Sequence, residues 1–79
     1  MRKILVIGAG RSASSLIKYL LDKSTSENLL VTIADLSLEL VEKKTKNHPN
    51  ARAITFDVFN ETQRKEAIEN SDIVISMLP

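Results

Sequence analysis

The chain of 79 residues contains no cysteine and no tryptophan, and neither sign of charge dominates. Without cysteine there is no thiol chemistry, and the redox compartment stays undetermined. Eleven basic and ten acidic residues give a net charge of +1, so we expect neither nucleic acid nor an anionic membrane as a partner. The apolar run after Lys3 ends at Gly8, which is too short for a signal peptide or a membrane span. A soluble cytoplasmic protein is therefore expected.

Glycine is scarce, and both glycines, Gly8 and Gly10, lie in one turn. They follow residues 4–7, an apolar run typical of a strand buried on both faces. Gly8 permits a tight turn, Gly10 lets the backbone approach a pyrophosphate, and Ala13 lets the next helix pack against the strand. The N–H groups that begin this helix favour phosphate. The spacing predicts a dinucleotide-binding turn; a strand–turn–helix joint of another α/β protein is the alternative.

The rest of the chain alternates between strand and helix patterns. Strands are predicted at residues 4–7, 29–34, 51–56 and 73–77, and helices at 11–23, 38–46 and 61–70. Short connections and right-handed crossovers predict an α/β fold, a partial doubly wound parallel sheet of strand order 3-2-1-4 with helices on both faces. A complete domain of this kind has roughly six strands. We therefore interpret residues 1–79 as its N-terminal part, without the remaining strands and the substrate domain.

Side-chain caps are predicted for the second and third helices. Ser37 precedes the second helix and Asn60 precedes the third, and both residue types are preferred N-caps. Gln63 stands three residues after Asn60, which completes a capping-box pattern.

Asp35 ends the second strand pattern, 22 positions after Ala13. A carboxylate there can accept hydrogen bonds from both hydroxyls of the adenosine ribose, whereas it opposes a 2′-phosphate. Residues 36–38 contain no arginine that could hold such a phosphate. NAD is therefore the predicted cofactor, with NADP as the alternative. Asp35 can also cap the second helix, and the two roles are compatible.

Arg11 and Ser12 begin the first helix, where their side chains can reach the phosphates. Arg11 either adds charge to the pyrophosphate site or faces solvent. The sequence contains no metal-ligand spacing and no catalytic set, and its single histidine, His48, falls in a predicted turn. We predict no metal site and expect the catalytic residues outside these 79 positions.

The carboxyl ends of the third and fourth strands provide five more candidates. Asp57 and Val58 follow the third strand and are predicted to flank the adenine; the alternative is a loop aspartate that turns the chain. Ser76, Leu78 and Pro79 end the fourth strand, across the predicted crevice from the glycine turn. They are expected to form a wall beside the cofactor, or else only the exit from the strand.

Three segments together resemble the N-terminal region of saccharopine dehydrogenases. They are residues 6–13, the Asp57-Val58 pair and residues 71–79, where the pattern Asp-φ-Val-Ile-Ser-φ-φ-Pro (φ, apolar) is the most specific. The resemblance implies an NAD(P)-dependent oxidoreductase of lysine metabolism. Such an enzyme moves hydride between nicotinamide and the carbon that bears a secondary amine, so the implied partners are a dinucleotide and a small amino-acid-derived substrate. Members that use NADPH tend to carry a basic residue just after strand two, where this chain has Asp35 and Leu36.

Two other protein classes share part of this pattern. A carboxynorspermidine-type dehydrogenase is similar over much of the N-terminal region. A nucleotide-sensing regulatory domain of potassium-uptake systems also has the glycine motif and a strand-two aspartate, but it lacks the Ser-φ-φ-Pro ending. Finally, a fifth strand would cover the fourth strand in a complete domain, whereas in these 79 residues its apolar edge is free. This predicts self-association of the isolated chain into a homo-oligomer.

Overall fold

The computed structural model describes residues 1–45, 48–55, 57 and 59–77, and only the backbone of Arg11 and Ser12. Strands and helices alternate: β1 (Arg2–Ile7), α1 (Arg11–Ser24), β2 (Leu29–Asp35), α2 (Leu38–Thr45), β3 (Ala51–Thr55), α3 (Glu61–Glu69) and β4 (Ile73–Ser76). All strand pairs are parallel, and the order is β3-β2-β1-β4. The predicted α/β fold class and strand order are confirmed.

β1 is flanked by β2 on one side and by β4 on the other. Residues 4–7 pair with residues 31–34 of β2 and with residues 73–76 of β4. Ile4, Leu5, Val6 and Ile7 are all buried, as expected for a strand that is covered on both faces. This register brings the carboxyl ends of three strands to one edge of the sheet, next to Gly8.

Helices α1 and α2 cover one face of the sheet. The apolar stripe of α1 recurs at helical spacing and packs on alternate residues of β1 and β2. The buried cluster on this face consists of Ile4, Val6, Ala9, Ala13, Ile17, Leu20, Leu21, Leu29, Val31, Ile33 and Val41.

The opposite face is covered by α3. Its buried cluster contains Leu5, Ile7 and Ala34, with Ile54 and Ala67 packed against them and half-buried. Ala67 is the contribution of α3, in which no residue is fully buried. No helix among the described residues has the length and apolar composition needed to cross a membrane.

The predicted caps are confirmed, but the capping box is not. The hydroxyl of Ser37 accepts a hydrogen bond from the Leu40 N–H at 3.2 Å, and the Asn60 side chain accepts one from the Gln63 N–H at 3.1 Å. The side-chain oxygen of Gln63 accepts from the Asp57 N–H at 3.2 Å instead of from the N-cap backbone. The Asn60 N–H is already used, because it donates to the Asp57 carbonyl at 2.9 Å.

Element boundaries shift slightly from the predicted ones. β1 begins at Arg2 because the Arg2 N–H donates to the Asn28 carbonyl, and the Lys3 N–H donates to the Asp72 carboxylate at 2.8 Å. α3 ends one residue earlier than predicted, at Glu69, since Asn70 forms its C-cap. β4 ends at Ser76, also one residue earlier.

Candidate cofactor-binding site

Gly8 and Gly10 are needed for different reasons. Gly8 has φ of 103°, a conformation that a side chain disfavours, and its N–H donates to the Ala34 carbonyl at 2.7 Å. Gly10 has φ of −75°, which any residue can adopt. A Cβ built on Gly10 would meet nothing within 4 Å among the described residues, so their packing does not require glycine there. Glycine at position 10 keeps the surface clear for a molecule outside the chain.

The start of α1 differs from the starts of the other two helices. α2 begins with the Ser37 cap and has Glu39 in its first turn, while α3 begins with the Asn60 cap and Glu61. α1 begins at Gly10 with no side-chain cap and no acidic residue in its first turn. The Ala13 N–H already donates to the Gly10 carbonyl at 3.1 Å. The two N–H groups before it, of Arg11 and Ser12, have no acceptor within the helix, and with the partial positive charge of the helix start they suit a phosphate group.

Asp35 connects the glycine turn to the beginning of α2. One carboxylate oxygen accepts a hydrogen bond from the Ala9 N–H at 2.8 Å, and the other accepts one from the Ser37 N–H at 3.3 Å. The second bond closes an Asx turn that leads into α2, and the side-chain cap of that helix is Ser37, so Asp35 does not take the helix-capping role that the sequence offered as an alternative. Each carboxylate oxygen can accept more than one hydrogen bond, so ribose hydroxyls could still bind to the half-buried side chain. Ribose recognition by Asp35 stays a prediction.

Ser76 lies beside the glycine turn, at the end of β4. In the sheet it pairs with Ile7, the residue just before Gly8, and the following Met77 N–H donates to the Ile7 carbonyl at 2.7 Å. The exposed Ser76 therefore stands where the strand order reverses, which is the usual ligand crevice of such sheets. Leu78 and Pro79 lie outside the described residues.

Asp57 takes part in the turn that leads into α3. Its carboxylate accepts a hydrogen bond from the Phe59 N–H at 2.9 Å, which is the chain-turning alternative offered by the sequence. Its predicted place beside the adenine stays a prediction. Val58 and the side chains of Arg11 and Ser12 lie outside the described residues, but the backbone of Arg11 and Ser12 is in the first turn of α1, as the motif requires.

Two further observations concern metal and histidine chemistry. Among the described residues there is no group of three or more acidic, histidine or cysteine side chains that could hold a metal ion. The Nδ1 atom of His48 accepts a hydrogen bond from the Asn50 N–H at 3.1 Å, so this ring supports the turn before β3.

The bond between Asp35 and Ala9 was not predicted from the sequence. The glycine spacing predicts the turn, and the end of the second strand pattern predicts the carboxylate. No local signal predicts a hydrogen bond between the two. The strand order, the glycine turn at the point where that order reverses, and the carboxylate at the end of β2 together define a dinucleotide-binding domain of the Rossmann type.

Comparison with known proteins identifies the family. The sequence model of the saccharopine dehydrogenase NADP binding domain matches residues 4–79, so the chain belongs to this family. The resemblance seen in the sequence is confirmed. The description of the family implies a nicotinamide dinucleotide as the cofactor class of the domain.

Two relatives agree with this assignment. The chain is 30% identical over its full length to the Schizosaccharomyces pombe saccharopine dehydrogenase [NADP(+), L-glutamate-forming]. It also matches the structure of the apo, histidine-tagged saccharopine dehydrogenase (L-Glu forming) from Saccharomyces cerevisiae, with a TM-score of 0.85 and 25% identity over the whole chain. The chain spans 17% of the length of each of these two proteins.

Proposed function

We propose that this chain is the N-terminal part of the cofactor-binding domain of a saccharopine dehydrogenase-like oxidoreductase of lysine metabolism. The observation that carries the proposal is the start of α1, which follows the glycine turn with neither a side-chain cap nor an acidic residue. Membership of the NADP-binding family and the names of both relatives support it. The substrate and the catalytic residues then belong to parts of the enzyme outside these 79 residues.

Each part of the site has a role in this proposal. The pyrophosphate binds at the first N–H groups of α1, in the space that Gly10 leaves open. The adenosine ribose lies against Asp35 at the end of β2, and Ser76 forms part of the wall across the crevice. When bound, the nicotinamide supplies hydride transfer to or from the carbon that bears the secondary amine. The residues of this chain bind and orient the dinucleotide.

Replacement of Gly10 tests the pyrophosphate site. In the full-length enzyme, Gly10→Val should leave the fold intact, because a Cβ at this position meets no atom of the described residues within 4 Å. Affinity for NAD and NADP should fall at least roughly tenfold, since the side chain fills the approach path of the pyrophosphate. Calorimetric titration measures the affinity, and circular dichroism checks the fold.

Thr62→Val is a suitable control, because it introduces the same side chain at an exposed position in the first turn of α3. It should leave both affinities unchanged. Unaltered affinity in a folded Gly10→Val enzyme would remove Gly10 from the site. Activity on carboxynorspermidine, with none on saccharopine, would assign the enzyme to the alternative dehydrogenase class.

We further propose that the enzyme prefers NAD to NADP because of Asp35. Each hydrogen bond from a ribose hydroxyl to the carboxylate contributes about 1.5–3 kcal/mol, and the 2′-phosphate of NADP would replace one of them with repulsion between like charges. The family description and the name of the S. pombe relative specify NADP, so the cofactor preference would separate this chain from them.

Replacement of Asp35 tests this preference. Asp35→Ser should weaken NAD binding and narrow the difference between NAD and NADP, measured as kcat/KM for each cofactor with saccharopine. A wild-type enzyme that favours NADP, or a mutant with an unchanged ratio, would show that Asp35 does not set the preference.

A cytoplasmic location, and self-association of the isolated chain into a homo-oligomer, belong to the same proposal. Support for oligomerisation comes from β4, which among the described residues pairs only with β1. Its Ile73 and Val74 side chains are 42% and 37% exposed. Self-association through this edge should appear in light scattering of the isolated chain, whereas a monomer at high concentration would contradict it.

A further inference from the structure

We infer that Asp35 is also a positioning residue that holds the glycine turn in the conformation that receives the pyrophosphate. The inference rests on the proposed function and adds a second role to the ribose contact. Its basis is the 2.8 Å hydrogen bond from the Ala9 N–H to the Asp35 carboxylate, between residues 26 positions apart. Ala9 is completely buried, so its N–H group depends on a partner within the protein.

The turn is attached to β2 at two points that differ in kind. The Gly8 N–H donates to the backbone carbonyl of Ala34, and this bond does not depend on the identity of any side chain. The neighbouring Ala9 N–H donates to the Asp35 side chain, so that bond exists only with a suitable residue at position 35. Because glycines flank Ala9, this short segment has wide conformational freedom, and a second attachment point restricts it.

The carboxylate is itself held in place. Its other oxygen accepts the Ser37 N–H at 3.3 Å, at the entry to α2. Removal of the carboxylate would leave the buried Ala9 N–H without a partner, which is costly unless the turn rotates toward water. Such a rotation would displace Gly10 and the first N–H groups of α1, which are the proposed phosphate ligands. Loss of the Asp35 carboxylate should therefore lower the affinity even for phosphate ligands that carry no ribose hydroxyl.

Two nucleotides separate the positioning role from ribose recognition. ADP carries the diphosphate and both ribose hydroxyls, whereas 2′,3′-dideoxy-ADP carries the same adenine and diphosphate but neither hydroxyl. Their dissociation constants would be measured calorimetrically with the full-length wild-type enzyme and with three variants: Asp35→Ala, Asp35→Asn and Asp72→Ala.

Asp72 provides a matched control. Its carboxylate also accepts a hydrogen bond from a backbone N–H, that of Lys3, at 2.8 Å. This bond lies near the start of β1, at the opposite end of the strand from the glycine turn. Asp35→Ala should lower the affinity for 2′,3′-dideoxy-ADP roughly tenfold, because it removes one hydrogen bond to a charged group. Asp35→Asn keeps an acceptor oxygen for the Ala9 N–H, so it should bind this nucleotide within about twofold of wild type. Asp72→Ala should leave the affinity unchanged.

Hydrogen exchange at the Ala9 amide provides a readout that does not depend on a ligand. Asp35→Ala should accelerate this exchange, whereas Asp35→Asn and Asp72→Ala should not. If Asp35→Ala weakens ADP but leaves both 2′,3′-dideoxy-ADP binding and Ala9 exchange unchanged, the positioning role is overturned and the proposed function stands. If the wild-type enzyme binds neither these nucleotides nor NAD and NADP, the proposed function is overturned together with the inference.

Discussion

The two faces of the sheet are unequally packed, although the same strands form both. Among the residues that the structure describes, eleven are buried in the cluster under α1 and α2 and three in the cluster under α3. On β2, Val31 and Ile33 point to the first face and are completely buried, whereas Leu30 and Thr32 point to the second and are half-buried. Leu30 and Thr32 line an open groove beside α3. Among the described residues, most of the buried apolar side chains therefore lie on the α1 and α2 face.

The glycine turn belongs to the better packed face. Ala9 and Ala13, on either side of Gly10, are part of the larger cluster. A phosphate site needs backbone groups that keep their directions before the ligand arrives, and dense packing of small residues provides this rigidity. Because the glycine turn packs against the more densely packed face, we expect it to unfold locally less often than α3 on the other face.

The largest effect is expected from Ile17→Ala on α1. Ile17 is 2% exposed within the larger cluster, so its truncation leaves a cavity and should lower the free energy of unfolding by about 2–5 kcal/mol. Native-state hydrogen exchange of the β1 amides in the full-length protein measures the change. A fall in the free energy of unfolding of less than roughly 1 kcal/mol would contradict the difference between the two faces, because the better packed face would then tolerate a cavity.

A smaller effect is expected from Gly8→Ala, at the edge of the same face. The φ of 103° at Gly8 is unfavourable for any residue with a side chain, so the free energy of unfolding should fall by about 1–3 kcal/mol. Gly10→Ala is the matched control, because position 10 has an ordinary φ and open space around the added Cβ. Equal losses in the two variants, measured by the same exchange experiment, would contradict the separate roles assigned to the two glycines.

The smallest effect is expected from Ile68→Ala on α3. This substitution has the same chemistry as Ile17→Ala, but Ile68 is 43% exposed and sits on a helix with no fully buried residue. The free energy of unfolding should change by less than about 1 kcal/mol. In the wild-type protein, the amides of α3 should also exchange faster than those of α1. Similar exchange in the two helices would show that α3 is as firmly held as α1.

Local sequence signals predict much of the fold, and they predict the positions of the glycine turn and of Asp35 in the candidate site. The apolar run at residues 4–7 predicted the buried central strand, the helical stripe predicted the packed face of α1, and Ser37 and Asn60 were correctly identified as caps. The right-handed crossover rule then led from seven elements to the order 3-2-1-4, which is confirmed. The Gly-x-Gly-x-x-Ala spacing located the turn, and the end of the second strand located Asp35.

By itself, then, the sequence determined the order of elements, the turn and the family, because periodicity, caps and motif spacing are properties of neighbouring residues. Only the tertiary structure decided which distant groups meet. It joined Asp35 to Ala9 and Asp72 to Lys3. It also packed one face of the sheet more densely than the other. These outcomes depend on strand register and helix docking, which bring together groups up to 69 positions apart, and no local pattern specifies such a pairing.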